Sequence, residues 1–373
     1  MTRIPLGILD LVPVPSGATP AQAVAATLDI VRRAEAAGYH RYWFAEHHFN
    51  PGVIGSSPAV LIALAGAVTD RIRLGSGAVQ LSPQDTEATI AEEYALLATA
   101  FPGRIDLGVG RSGLASGGPS GPIDAPESVT PEGLLIPEPF RFERVFDAPK
   151  FKTLARLLVR GQGGADFADQ VETIVALLAD GVGSGDERVG LGTSPAGVAP
   201  ELRLFGSGTL TARLAGRLGL PFAANYHSAP SGVLVSIQEY RRSFVPSERL
   251  GKPHVIVSAD VVAAPTSARA AELASGYPAW VRSIRSGLGA IPYPTAAEAA
   301  ELDWTDAERR LVDDRVRTQF VGTPAEVVER LTTLQRATGA DELVLTTITH
   351  DPEDRAASFE SIAREWDARE RRD

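Results

Sequence analysis

The stretch RIRLGSGAVQLSPQDTEATIAEEYALLATAFPGRIDLGVG (71–110) contains two short apolar segments separated by a longer one of helical character. Strands are predicted over 71–79 and 104–110, and the Ala- and Leu-rich residues 86–100 predict a helix between them. Nearly continuous apolar strands that alternate with helices are typical of a parallel sheet covered by helices. This unit therefore places the chain in the α/β class.

The same strand–helix unit recurs along the chain. Six further strands are predicted over 4–11, 39–46, 201–206, 221–226, 254–262 and 342–348. Further helices are predicted over 20–37, 57–69, 208–218, 231–243 and 266–285, in two pieces within 151–180, and from the N-cap Thr323. Eight such units favour a (β/α)8 TIM barrel over an open sheet.

A single barrel domain is predicted over 1–373, with three stretches that do not belong to the repeated strand–helix unit. These are a Pro- and Gly-rich insertion over 112–150 after the fourth strand, a Gly- and Pro-rich stretch over 181–200, and an excursion over 286–320 before the last helix–strand unit. Long loops in compact domains are usually lids, binding loops or disordered segments. We expect the 112–150 insertion to form a lid.

Composition limits the classes of partner. The net charge is −10 and no concentrated Lys/Arg run offsets it, which argues against nucleic acid or an anionic membrane as a partner. The absence of cysteine excludes disulfides and thiolate chemistry. No stretch of 18 apolar residues is present, and Asp10 and prolines interrupt the apolar N-terminus, so a cytoplasmic protein without a signal peptide is predicted.

The second predicted strand ends in FAEHHFN (44–50). Active sites of TIM barrels lie at the C-terminal ends of the strands, so Glu46, His47 and His48 are candidates for chemistry. Successive strand residues point to opposite faces, so only one histidine can face the mouth if the strand continues through them. Three interpretations stay open: proton transfer, a histidine held by Glu46, and a metal site with His227 as the nearest further ligand. His350, which ends the eighth strand, is a further candidate.

A second motif is LFGSGTLTARLAG (204–216), in which a strand runs directly into a helix through Gly206-Ser207-Gly208-Thr209. Such a helix start suits a phosphate group, although an ordinary N-cap explains it equally well. Arg111, at the end of the fourth strand, is either the charged partner of that phosphate or an exposed arginine.

In RLGSGAV (73–79), Gly75 and Gly77 flank Ser76 inside a strand. This pattern indicates either close approach to a flat ligand or a tight bend of the barrel.

Three long segments together resemble the luciferase-like flavin monooxygenases of the bacterial luciferase superfamily. They are GYHRYWFAEHHFNPGVIGSSPAVLIALAGAVTDRIRLGSGAVQLSPQD with FPGRIDLGVGRSG, LFGSGTLTARLAGRLGLPFAANYH, and QFVGTPAEVVERLTTLQRATGADELVLTTITHDPEDR. Within the family the chain is most similar to the group that contains the monooxygenase of mensacarcin biosynthesis.

The resemblance implies a homodimeric TIM barrel that uses reduced FMN or the deazaflavin F420. In the FMN members, a separate NAD(P)H flavin reductase supplies FMNH2, and reaction with O2 gives a C4a-(hydro)peroxide that oxygenates the substrate. We expect a small organic substrate, such as an aromatic polyketide or another secondary metabolite of the kind found in antibiotic biosynthesis. Two alternatives are an F420-dependent dehydrogenase or reductase and a non-catalytic flavin-binding protein.

Site residues carry over from the family by position, and no metal is implied. His47 matches the catalytic histidine, a base near the flavin C4a, and His48 matches its neighbour. The cofactor-binding positions correspond to Glu46, Ser76, Gly77, Ala78, Arg111, Gly206, Ser207, Gly208 and Thr209. Within that set, Ser76 to Ala78 match a turn that often holds a non-prolyl cis peptide, and Arg111 and the 206–209 loop match the phosphate site.

Overall fold

The computed structural model describes residues 4–81, 86–112, 125–140, 145, 148–158, 166–183, 188–192 and 198–370. Eight parallel strands close into a barrel that helices surround, which confirms the predicted TIM barrel. In chain order the barrel strands are β1 (Leu6–Asp10), β2 (Arg41–Phe44), β3 (Arg73–Ser76), β4 (Ile105–Arg111), β5 (Glu201–Gly206), β6 (Phe222–Asn225), β7 (Val255–Ala263) and β8 (Glu342–Thr346). Each strand pairs with the next, and β8 pairs with β1 through Leu6 and Leu343.

Short strands complete the sheet structure. Val79–Leu81 extends the barrel beside β4, and Phe320–Gly322 pairs with the end of β7. Ser128–Val129 and Leu135–Ile136 form a separate antiparallel pair within the insertion.

The helices follow the strands in the expected alternation. In chain order they are α1 (Pro20–Ala36), α2 (Pro58–Gly66), α3 (Glu87–Ala100), α4 (Pro149–Leu158), α5 (Phe167–Leu177), α6 (Thr209–Arg217), α7 (Val233–Ser243), α8 (Ser267–Ala274), α9 (Tyr277–Arg285), α10 (Ala296–Ala300), α11 (Asp306–Thr318), α12 (Pro324–Thr338) and α13 (Pro352–Glu370). In the described ranges, no helix combines the length and apolar composition needed to cross a membrane.

Local sequence signals fix several helix ends. At α12 the Thr323 side chain accepts from the backbone N–H of Glu326, and the Glu326 carboxylate accepts from the backbone N–H of Thr323. This capping box satisfies two of the N–H groups left open at a helix start, as predicted. The helix ends at Gly339, whose φ of 60° is the left-handed conformation that glycine adopts without steric cost.

The interior at the N-terminal end of the barrel holds a charge cluster around Asp106. This carboxylate is completely buried and accepts hydrogen bonds from the guanidinium groups of Arg41, Arg73 and Arg203. The Trp43 indole Nε1 donates to it as well, at 2.8 Å. Trp43 is therefore a packing residue of the barrel, and the charged cluster closes the end opposite the mouth.

Two predicted elements are each divided in the structure. The strand predicted over 71–79 stops at Ser76, and a cis peptide between Gly77 and Ala78 precedes the Val79–Leu81 strand. The helix predicted over 266–285 is two helices, α8 and α9, because the chain turns at Ser275 and Gly276. Pro278 then occupies the first turn of α9, where its missing N–H costs no hydrogen bond.

The described part of the insertion is docked onto the barrel and onto the 286–320 excursion. Glu127 accepts two hydrogen bonds from Arg317 of α11, both 2.7 Å long. The Leu135 carbonyl accepts from the Tyr226 hydroxyl at 2.9 Å, and the Arg285 guanidinium lies 4.0 Å from the centre of the Phe140 ring. The two excursions therefore contact each other beside the mouth. Much of residues 112–124 and 141–147 lies outside the described residues.

Candidate active site

A cavity of about 420 Å³ opens at the C-terminal ends of the strands. Its size is in the range of small-molecule and cofactor sites. The cavity brings together most of the predicted site residues. Those that line it are Glu46, His47, Gly77, Ala78, Arg111, Gly206, Ser207 and Gly208.

His47 is the histidine that faces the cavity. The chain leaves β2 at Phe44, and the His47 backbone N–H donates to the Gly55 carbonyl at 2.9 Å. Its Nδ1 is enclosed, and the imidazole has no hydrogen-bond partner among the described residues. Burial, with a smaller effect from His48, lowers the pKa of His47 to about 4. The side chain is therefore a neutral imidazole at neutral pH, able to accept a proton.

His48 points away from the cavity and is held by Glu46. The His48 Nε2 lies 2.7 Å from the Glu46 Oε1, and the other carboxylate oxygen accepts from the Gln80 backbone N–H at 3.1 Å. The Gln80 side-chain amide in turn donates a hydrogen bond of 2.7 Å to the Glu46 backbone carbonyl. These contacts tie the end of β2 to the strand that follows the cis peptide. The two rings thus differ in place, with His47 at the cavity and His48 bonded to Glu46, although both lie beyond the end of β2 and strand alternation does not apply to them.

The turn after β3 presents backbone rather than side chains to the cavity. The completely buried Ser76 hydroxyl donates to the Gly108 carbonyl at 2.9 Å and accepts from the Gly108 N–H at 3.0 Å. Ser76 therefore joins β3 to β4 and does not line the cavity. Gly77 and Ala78 do line it, and a side chain at Gly77 would meet the Leu9 side chain at 2.7 Å.

The Gly206–Thr209 turn, which the sequence marks as a candidate phosphate site, lies at the same mouth of the barrel. β5 ends at Gly206, α6 begins at Thr209, and Gly208 is its N-cap without a side-chain capping bond. The first N–H groups of a helix have no partner within the helix and attract anions. Arg111 ends β4, the neighbour of β5, so its cation lines the same cavity as this helix start.

The sequence predicted only part of the cavity wall that β6 and the later helices form. His227 follows β6, lines the cavity, and places its Nδ1 2.6 Å from the Ser258 hydroxyl. Burial, followed by the charges of Arg315 and His47, lowers the pKa of His227 to about 3. Trp280, Arg285 and Arg315 also line the cavity.

No sequence signal marked those three helix residues as parts of a site. Arg315 lies in the charged stretch LVDDRVR, which reads as a solvated helix face.

The metal interpretation and His350 find no support in the geometry. In the part of the chain that the structure describes, no group of three or more His, Asp or Glu side chains is arranged to hold a metal ion. The His350 Nε2 lies 3.0 Å from the Ser16 carbonyl, and the residue is not part of the cavity wall.

Comparison with known proteins gives consistent matches over most of the chain. The family model for luciferase-like monooxygenases matches residues 4–132 and 182–342. The unmatched stretch between these ranges overlaps the predicted insertion. An uncharacterized Bacillus subtilis protein, YvbT, is 35% identical over 97% of this chain and 96% of its own length.

An Escherichia coli luciferase-like monooxygenase is 32% identical, with coverage of 96% and 95%. Among solved structures, apo-MsnO8, the mensacarcin monooxygenase, superimposes with a TM-score of 0.75 at 27% identity, covering 98% of both chains.

Proposed function

The chain belongs to the luciferase-like monooxygenase family, and from this premise we propose that it oxygenates a small organic substrate with O2 and externally supplied reduced FMN. The observation that carries the proposal is the content of one cavity. It combines a helix start of the kind that attracts anions, the Arg111 cation and a neutral His47 whose Nδ1 has no hydrogen-bond partner among the described residues.

The residues present fit FMN. Arg111, the Ser207 hydroxyl and the free N–H groups at the start of α6 would hold the phosphate by charge-assisted hydrogen bonds. The backbone at Gly77 and Ala78 offers a surface without bulky side chains for a flat ring. When bound, reduced FMN supplies the two electrons with which one oxygen atom of O2 enters the substrate and the other leaves as water.

His47 is proposed as the base of the reaction. Its enclosed, neutral imidazole has an open capacity to accept a proton from a group that enters the cavity. Glu46 supports it indirectly, because its carboxylate binds the His48 ring and accepts from the Gln80 N–H, which holds the segment that carries His47. Apolar side chains of Leu9, Leu11 and Phe205 in the same wall reduce access of water to the reacting groups.

The docked insertion is proposed to cover the mouth and to set the size of the substrate. Its contacts to Arg317 and Tyr226 hold it beside the cavity, and Phe140 packs on Arg285, which itself lines the cavity. We further propose a secondary metabolite as substrate, an NAD(P)H flavin reductase as the source of FMNH2, a homodimeric assembly, and a cytoplasmic location.

Stopped-flow absorbance after mixing the protein and photoreduced FMN with O2 tests the proposal. A transient flavin species that outlives the reaction of free reduced FMN is the expected result. Reoxidation at the rate of free FMN would contradict oxygenation, and tight binding of F420 in a parallel titration would then favour the dehydrogenase alternative. His47→Gln serves as the site variant, and His254→Gln, at the other end of the barrel, serves as its control.

A further inference from the structure

Arg315 of α11 is a cavity residue that the proposed FMN chemistry leaves without a role. The residue is only 8% exposed and lines the cavity. Its Nε and Nη2 both donate to the Tyr277 hydroxyl, at 3.1 and 2.7 Å. Its Nη1 makes no hydrogen bond within the described ranges of the chain, so one donor of a rigidly held guanidinium stays available.

The charge of Arg315 is only partly balanced by its neighbours. The nearest carboxylate, Asp260, lies 3.9 Å away and accepts instead from the Gln319 amide at 2.9 Å. Burial raises the pKa of Asp260 to about 6, so this carboxylate is still mostly ionised at neutral pH and balances part of the Arg315 charge. Arg285, which also reaches the cavity from a helix, differs because Asp314 binds two of its nitrogens. Arg315 is therefore the better placed of the two to attract an anion.

A second donor stands in the same wall. The Trp280 indole stacks near the Tyr277 ring, with centroids 6.0 Å apart, and its enclosed Nε1 has no hydrogen-bond partner in the described part of the structure. A buried N–H without an acceptor is destabilising. An acceptor group that reaches Nε1 would satisfy this donor. Around these donors the wall is apolar, with Val281 and Ile284 of the same helix as Trp280.

We propose that Arg315, with Trp280 beside it, binds a carboxylate of the substrate, so that the protein acts on organic acids with an apolar body. This assignment rests on the proposed function and narrows its substrate class. The available Nη1 of Arg315 can donate to a carboxylate oxygen, and the charges of both groups strengthen that hydrogen bond. The apolar residues of the same wall would receive the hydrocarbon part of the molecule.

Binding of matched acids and amides tests the assignment without turnover. The probes are hexanoate and hexanamide, benzoate and benzamide, and 2-naphthoate and 2-naphthamide, titrated calorimetrically into the full-length protein with oxidised FMN present. At least one acid is expected to bind about tenfold more tightly than its amide, as for a hydrogen bond to a charged group. If no acid of the series exceeds its amide, the proposal is overturned.

Variants then test whether Arg315 causes the preference for the acid over the amide. Arg315→Gln should abolish the preference for the acid: the affinity for the acid should fall about tenfold, and the affinity for the amide less than about twofold. Arg315→Lys should retain part of the preference. Arg310→Gln is the matched control, since it removes the same charge from an exposed position of the same helix that does not line the cavity.

Equal losses in the Arg315 and Arg310 variants would show a general effect of charge and contradict direct binding. The wild-type comparison remains decisive if Arg315→Gln does not fold. Oxygenation is measured separately by the stopped-flow experiment, so failure of one proposal is distinguishable from failure of the other.

Discussion

Replacing His47 with glutamine is expected to make the folded state less sensitive to acid. The pKa of His47 is lowered from the ordinary 6.5 to about 4 by burial. Between these values the unfolded chain binds a proton that the folded chain does not. Stability is therefore complete above about pH 6.5 and falls as the pH decreases towards about 4.

The magnitude follows from the two pKa values. One pKa unit corresponds to about 1.4 kcal/mol, so acidification from about pH 7 to about pH 5 should remove about 2 kcal/mol of unfolding free energy through His47 alone. The number depends mainly on the unfolded pKa, since any folded value below about 4.5 gives nearly the same loss. The His47→Gln variant should lack this contribution, whatever its stability at neutral pH.

Urea unfolding at several pH values, without added flavin, measures the effect. Asp260 acts in the opposite direction, because burial raises its pKa to about 6 and the folded state gains stability as the pH falls through that value. Its contribution is common to both proteins and cancels in their difference. Parallel stability profiles for wild type and His47→Gln would refute the buried, neutral state of this histidine. His254→Gln, outside the cavity, controls for the loss of a histidine as such.

Three further outcomes are expected. Arg111→Ala should weaken FMN binding at least about tenfold while changing riboflavin binding little, as fluorescence titration can measure; equal losses would remove the phosphate role. Val60→Glu with Leu96→Glu, at positions 59% and 58% exposed on α2 and α3, should yield monomers in analytical ultracentrifugation if these helices form the dimer interface, and an unchanged dimer would place it elsewhere. Asp106→Asn should cost about 3–5 kcal/mol in urea unfolding, because it leaves buried arginines uncompensated; a loss below about 1 kcal/mol would contradict that.

The barrel was predictable because its signal is repeated. Each of the eight predicted strands overlaps an observed one, and only β4 and β7 run one residue past the predicted end, since apolar runs between helices leave few other arrangements. The divisions of 71–79 and 266–285 were not predictable from periodicity alone. The predicted strand 71–79 is interrupted by the backbone conformation at Gly77. The predicted helix 266–285 is interrupted by a turn, although the composition of the segment is otherwise helical.

The site was predictable only where it follows from strand ends. His47, Arg111 and Ser207 come directly after apolar strands, so the rule for barrel mouths locates them. Arg315 and Trp280 reach the cavity from helices of the later part of the chain. Their positions depend on how α9 packs against α11, which local sequence patterns do not encode.

This arrangement has a consequence for how relatives of the protein diverge. One wall of the cavity is formed by strands whose register is fixed by pairing within the barrel. A shift of one such strand by one residue disturbs its pairing with both neighbouring strands. The other wall comes from α9 and α11, which lie outside that hydrogen-bonded cylinder. Mutations there reshape the chamber at little cost to the sheet. The chamber can therefore change its shape while the strands of the barrel keep their pairing.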